Sequence, residues 1–273
     1  MADGGVWYTA QATGRLGYLD PGTGEVHEFD LGPGSRPHGV IVGPNGDPWI
    51  TDGGLNAIVT VDASSGALTV LPLQTPPANL NTAAFDGDGF LWFTGQAGFW
   101  GRVDPATGTV DVWPSPGGSG PYGIATTPDG TVWIASLAGS WIGRIDGPDN
   151  LDVVDTPTPG GGARRVWSDA SGDLWVTEWF ADRLARYEPD TGTWTEFDVP
   201  GSSQPYAVYV DERDHVWVSD HAGDALHRFD PVTEEFATFP HAVGADIRQL
   251  LGRPGEVWGA GSGDDTMILL RTD

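Results

Sequence analysis

Six residues that open apolar runs carry side chains able to bind or react: His38, Asn81, Tyr122, Arg165, Tyr206 and Arg248, spaced 41–43 residues apart. Arg36, Asn79, Gln204 and Asp246 stand two residues before four of them. A second polar series keeps the same beat, with Asp52, Ser136, Glu178 and Asp220, and with Trp179 and His221 directly after the last two. His38 and His221 are the imidazoles able to move a proton, and Arg248 can steady a developing oxyanion. Tyr122, Arg165, Trp179, Tyr206 and Asn81 suit substrate recognition. Glu178, Asp220 and Asp246 form a carboxylate set that a hard divalent cation such as Mg²⁺ or Ca²⁺ would accept. The same carboxylates can equally be neutralised in plain ion pairs with Arg165 and Arg248.

Such residues can meet only if the elements carrying them repeat in space. Seven tryptophans, Trp7, Trp49, Trp92, Trp133, Trp175, Trp217 and Trp258, sit in short apolar segments 41–43 residues apart. Asp20, Asp62, Asp104, Asp146, Glu188 and Asp230 follow each other at intervals of 42. Within one period, residues 120–158 read as four strands: GPYGIATTPDG, TVWIAS, SWIGRID and LDVVDTP. A period of this size filled with strands predicts an all-β chain, a seven-bladed β-propeller of four-stranded antiparallel blades forming one domain over residues 1–273. The Asp series falls at turn starts (DPGTG, DASSG, DPATG), where a carboxylate accepts backbone N–H groups, so it reads as structural. The tryptophans read as packing between blades. The first and last blades are incomplete, three strands each, and we expect the chain to start late relative to its relatives. In each blade the inner strand starts, and the second strand ends, at one rim. Both polar series therefore belong to one mouth of a central channel, where a small-molecule ligand is expected.

Composition narrows the partners. All 13 cations are arginine, against 38 carboxylates, for a net charge of −25. A phosphate backbone would be repelled, so nucleic acid is excluded. The acidic surface reads as a solubility or high-salt adaptation. The chain has no cysteine, which removes disulfides and thiolate chemistry. No run approaches a membrane helix and no basic, apolar leader precedes the first strand, so a cytoplasmic monomer away from membranes is expected. Neither a phosphate-binding glycine loop nor a Gly-x-Ser-x-Gly elbow nor a His-Glu-x-x-His run occurs, so any chemistry is assembled across blades.

The phrases RPHGV, GPYGI, TVWIAS, LWFTG, LWVTEW, WGRVD and WIGRID resemble the streptogramin B lyase (virginiamycin B lyase) family over essentially the whole chain. The resemblance implies a seven-bladed propeller related to other lyase and lactonase propellers. It also implies the opening of a cyclic depsipeptide ester by elimination rather than hydrolysis, helped by Mg²⁺, and a family association with antibiotic resistance. The family's sixth-blade histidine corresponds to Tyr206, its Glu-x-His to Asp246-Ile247-Arg248 and its later Glu to Ser262. Arginine stays protonated near neutral pH and cannot replace a histidine as base. Three readings follow: a carbon–oxygen lyase using His38 or His221; a non-catalytic binding propeller built on the aromatic and arginine residues; and a metal-dependent lactonase or esterase with Asn81, Glu178 and Asp220 around one ion.

Overall fold

The computed structural model describes residues 4–201 and 203–272. Those residues form 26 strands and no helix. The strands build seven antiparallel sheets, the blades of a seven-bladed β-propeller, each ordered in sequence from inner to outer strand. The chain clusters into two compact units, residues 1–124 and 125–273.

The first unit holds a three-stranded sheet of β1 (Val6–Ala10), β2 (Arg15–Leu19) and β3 (Val26–Asp30). The next sheet runs β4 (Pro37–Val42), β5 (Pro48–Asp52), β6 (Ala57–Val61) and β7 (Leu68–Pro72), and the third β8 (Leu80–Phe85), β9 (Leu91–Gly95), β10 (Phe99–Asp104) and β11 (Thr109–Pro114). The unit boundary falls within β12 (Pro121–Thr126), which joins β13 (Val132–Ser136), β14 (Trp141–Ile145) and β15 (Leu151–Asp155). The second unit continues with β16 (Ala163–Ser168), β17 (Leu174–Glu178), β18 (Arg183–Glu188) and β19 (Thr193–Asp198). Then come β20 (Pro205–Val210), β21 (Val216–Asp220), β22 (Ala225–Asp230) and β23 (Glu235–Pro240), and a closing three-stranded sheet of β24 (Ile247–Arg253), β25 (Glu256–Gly261) and β26 (Thr266–Arg271).

The tryptophans are packing residues, as the period suggests. Trp49 packs with Leu80, Leu91 and Phe93 of the following sheet, Trp133 with Ala163 and Val166, and Trp217 with Ile247, Leu250 and Val257. Truncating one to alanine would cost on the order of 3–5 kcal/mol. Several of their indole N–H groups are satisfied locally. Trp92, Trp175 and Trp217 each donate to the turn aspartate six residues earlier, Asp86, Asp169 and Asp211, at 2.7, 2.9 and 2.8 Å. The other aspartate series does the turn work expected of it: Asp62 Oδ1 accepts the N–H groups of Ser64 and Ser65 at 2.9 and 2.8 Å. Those bonds, with the Ser64 hydroxyl first among them, hold its carboxyl down to about 2.

A further repeat concerns the rim. Five inner strands carry a register shift next to their first residue, at Pro37/Gly39, Leu80/Ala83, Ala163/Val166, Pro205/Val208 and Ile247/Leu250. A hydroxyl two residues after a tryptophan fills each of several such bulges. Thr177 Oγ1 accepts the Arg165 N–H at 3.1 Å and donates to the Tyr206 carbonyl of the next blade at 2.9 Å. Ser219 accepts the Ala207 N–H at 2.9 Å and donates to the Ile247 carbonyl at 2.8 Å. Thr51 links the Gly39 N–H, at 2.9 Å, to the Asn81 carbonyl. Bulges re-aim side chains, and here they place the residues that follow at the rim.

Candidate functional site

In the second unit, three successive blades bring a charged and aromatic cluster to the rim. Arg164 and Arg165 fall within the β16 bulge. The Arg164 guanidinium lies 4.1 Å from the Trp179 ring centroid and 3.6 Å from that of Tyr206, two cation–π contacts. Trp179 and Tyr206 meet edge to face at 5.3 Å, and His221 completes the group, 5.3 Å from Trp179 and 6.0 Å from Tyr206. Buried Arg165 donates from Nη2 to the Arg248 carbonyl at 3.5 Å. Asp246 Oδ1 is 3.4 Å from His221 Nδ1, and its Oδ2 is 3.7 Å from Arg248 Nη2. The His221 contact lacks hydrogen-bond geometry, so it is a close approach of charge to ring. Asp246 has a left-handed backbone, φ 50°, which aspartate tolerates better than most residues. The Ser262 hydroxyl holds its carbonyl at 2.8 Å, so the residue at the family's later Glu position serves here as a clasp.

Arg165, Trp179, Tyr206, His221, Asp246 and Arg248 are thus gathered as the sequence led us to expect. Arg164 was missed. Its signal was the Ala-Arg-Arg doublet, where a bulge interrupts the alternation of the strand.

The structure does not bring the three carboxylates of the expected set together. Among the described residues no three of His, Asp and Glu form a group able to hold a metal ion. Asp220 Oδ1 accepts the N–H groups of Gln204, Ala222 and Gly223 at 3.3, 3.0 and 2.9 Å, and Oδ2 faces His227 Nε2 at 3.4 Å. Burial opposes its charge, but His227 and those amides hold its carboxyl below the ordinary value. Glu178 is fully buried, with the Glu196 carboxyl and Thr156 as its polar neighbours. Burial first, then the Glu196 carboxylate beside it, pushes Glu178 up to about 8, so it carries its proton at neutral pH. Glu196 goes the opposite way, held ionised by Glu178, Thr158 and Arg183 against the cost of burial. Gly161 leaves room for the pair, since a Cβ there would sit 2.8 Å from Glu178 Oε1. Asp246, already between an arginine and a histidine, is the only one of the three in the rim cluster. The Mg²⁺ or Ca²⁺ implied by the resemblance does not fit this donor set.

In the first unit, His38 Nδ1 lies 3.1 Å from the Asn81 carbonyl and its Nε2 is 3.4 Å from Asn81 Nδ2. Asn81 is fully buried. The Tyr122 carbonyl accepts from Thr82 and Thr94, at 2.6 and 2.7 Å. His38 is therefore a hydrogen-bonded rim residue within a polar pair. An open hollow of about 460 Å³, lined by Trp7, Asn45, Gly46, Asp47, Asp62, Ala63 and Ser64, lies at the turns β4–β5 and β6–β7, the end opposite the inner-strand starts. Its carboxylates are spent on those turns.

The fold is that of a seven-bladed β-propeller. The sequence model of the Virginiamycin B lyase family matches residues 1–228, and the chain belongs to that family. It is 32% identical to the virginiamycin B lyase of Nocardia farcinica (strain IFM 10152) over 213 residues, 76% of this chain and 71% of the relative. A streptogramin B lyase structure matches with a TM-score of 0.91 at 24% identity, covering 100% of this chain and 91% of the other. A catalytically inactive histidine-to-alanine variant of the virginiamycin B lyase from Staphylococcus aureus, with quinupristin, matches with a TM-score of 0.82 at 23% identity, covering 98% and 85%.

Proposed function

We propose that this protein is a carbon–oxygen lyase that opens the ester of a cyclic depsipeptide, with His221 as the base. The observation that carries the reading is the convergence, from three successive blades, of His221, Asp246, Trp179 and Tyr206 with Arg164, Arg165 and Arg248. The Asp246 carboxylate beside Nδ1 favours the tautomer protonated there and leaves the Nε2 lone pair as acceptor. Separations longer than a hydrogen bond are common before substrate seats, so 3.4 Å is compatible with a working pair. Trp179 and Tyr206 offer ring faces and edges to apolar side chains of a depsipeptide. Family membership supports the substrate class, as does the quinupristin held by the S. aureus relative.

The test is incubation with quinupristin followed by mass spectrometry. Elimination opens the ring at unchanged mass, whereas hydrolysis adds one water. His221→Ala should lower turnover by about 10² or more with the fold intact by circular dichroism. Full activity in that variant would sink the assignment of the base. A second reading, binding without turnover, is favoured by Tyr206 and Arg248 standing where the family pattern has histidines. It predicts saturable quinupristin binding and unchanged ligand at every pH. The metal-dependent lactonase reading lacks a ligand group among the described residues.

A further inference from the structure

Two of the carboxylates expected to bind a cation are committed elsewhere, and the rim cluster gathers guanidinium groups around the third. We propose that Arg248, with Arg165 behind it, supplies the positive charge of this site, so that a ligand carboxylate is bound without any metal ion. For the identity of the ligand this rests on the ester-opening reading above.

Four observations converge. Asp246, the one carboxylate of the expected set that stands in the cluster, already faces Arg248 at 3.7 Å and His221 at 3.4 Å. The oxygens of Asp220 are taken by three backbone amides and His227. Glu178 is enclosed under the β15–β16 connection, where Gly161 packs against it. Finally, three of the chain's 13 arginines collect here although acids outnumber them 38 to 13. A random scatter of so few cations would leave such a rim negative.

The geometry suits a carboxylate. Arg165 is buried and bonds to the backbone carbonyl of Arg248, so one guanidinium steadies the strand that bears the other. The Arg248 side chain is 50% exposed, leaving donors of its planar fork open to two oxygens. When the ester opens, a proton beside it passes to His221, and the C–H electron pair becomes the new C=C bond. The carbon–oxygen bond breaks and its pair stays on the departing carboxylate. That oxygen pair is the charge Arg248 receives, in a reaction with balanced atoms and no further reactant.

The probe is the linear carboxylate made by saponifying quinupristin, titrated calorimetrically into protein treated with EDTA. The expected Kd is the same, within about twofold, in EDTA, Mg²⁺ or Ca²⁺. Arg248→Ala should weaken it about tenfold or more, Arg248→Lys should recover part of the loss, and Arg213→Ala, an exposed arginine beside Glu212, should change nothing. Circular dichroism verifies that each variant is folded. Binding that requires a divalent ion, or that ignores Arg248, overturns the proposal, as does a 1:1 ion adduct in native mass spectrometry that Asp246→Asn abolishes. Failure of this proposal and of the ester-opening reading are separable. Metal-free, Arg248-dependent carboxylate binding without quinupristin turnover sinks only the latter, and Mg²⁺-dependent turnover sinks only the former.

Discussion

Asp52, Asp220 and Glu178 occupy one position of the repeat, three residues after a tryptophan, and one methylene separates two behaviours. The shorter Asp52 accepts the N–H groups of Arg36, Gly54 and Leu55 at 2.9, 2.9 and 3.0 Å. Asp220 clamps its loop in the same way. In blade five the corresponding amides bond elsewhere: Phe180 N–H to the Gly161 carbonyl at 2.8 Å, Ala181 N–H to the Glu178 carbonyl at 3.2 Å and Gly162 N–H to the Ser140 hydroxyl at 3.0 Å. The longer Glu178 reaches past them to Glu196, with Thr156 and Arg183 as its other polar neighbours. Its folded pKa is raised from 4.5 to about 8, so the folded protein keeps a proton that the unfolded chain releases. That contribution is complete below pH 4.5 and is lost as pH rises to about 8, by at most about 1.4 kcal/mol per pH unit. Glu196, lowered, acts in the opposite sense and only toward acid. Urea denaturation from pH 5 to 9 should therefore show the natural protein losing stability relative to Glu178→Gln as pH rises. Parallel curves would mean that Glu178 is ionised in the folded state.

At the level of the strand, the hydroxyl at the bulge ties each inner strand to the next, and its effect depends on what else reaches the same groups. Replacing Thr177 by valine leaves the buried Arg165 N–H and Tyr206 carbonyl without that oxygen, which should cost about 2–4 kcal/mol. Thr94→Val should cost less, because the Tyr122 carbonyl also accepts from Thr82 at 2.6 Å. Denaturant midpoints at pH 7 order the two. Quinupristin binding separates them again, since only Thr177 holds strands that carry Arg165 and Tyr206. The strands themselves were legible: alternating apolar residues, Pro-Asp-Gly turns and the tryptophan spacing locate all 26, including three in each terminal blade. The bulges were not. Register shifts leave the apolar pattern almost unchanged, and their trace is the Thr or Ser two residues after the tryptophan, whose partner lies one blade away. That is why His38 and Arg165 could be placed at the rim while Arg164 could not, and why Glu178 and Asp220 looked like channel ligands although Asp220 clamps its own loop and Glu178 faces Glu196.

Over the whole chain, the period was readable because it encodes packing, which every blade must solve alike, whereas charge is free to vary. Many arginines away from the rim sit beside acids, as in Arg15–Glu28, Arg102–Asp111, Arg183–Glu196 and Arg253–Glu256. Such pairs leave the net charge of −25 in place. An approaching carboxylate therefore meets two opposed fields: repulsion from the whole molecule at long range, and attraction from Arg248 and its neighbours close in. Salt separates them by distance. At about 0.01 M the screening length is about 30 Å and most of the excess acid is felt; at about 0.15 M it is about 8 Å and the rim dominates. Raising NaCl across that range should speed association of the saponified quinupristin carboxylate in stopped-flow measurements, the reverse of a site on a cationic protein. The dissociation rate, governed by contacts within a few ångströms of Arg248, should change much less. Association that slows steadily with salt would mean that the local guanidinium field outweighs the chain's 25 excess negative charges at every distance.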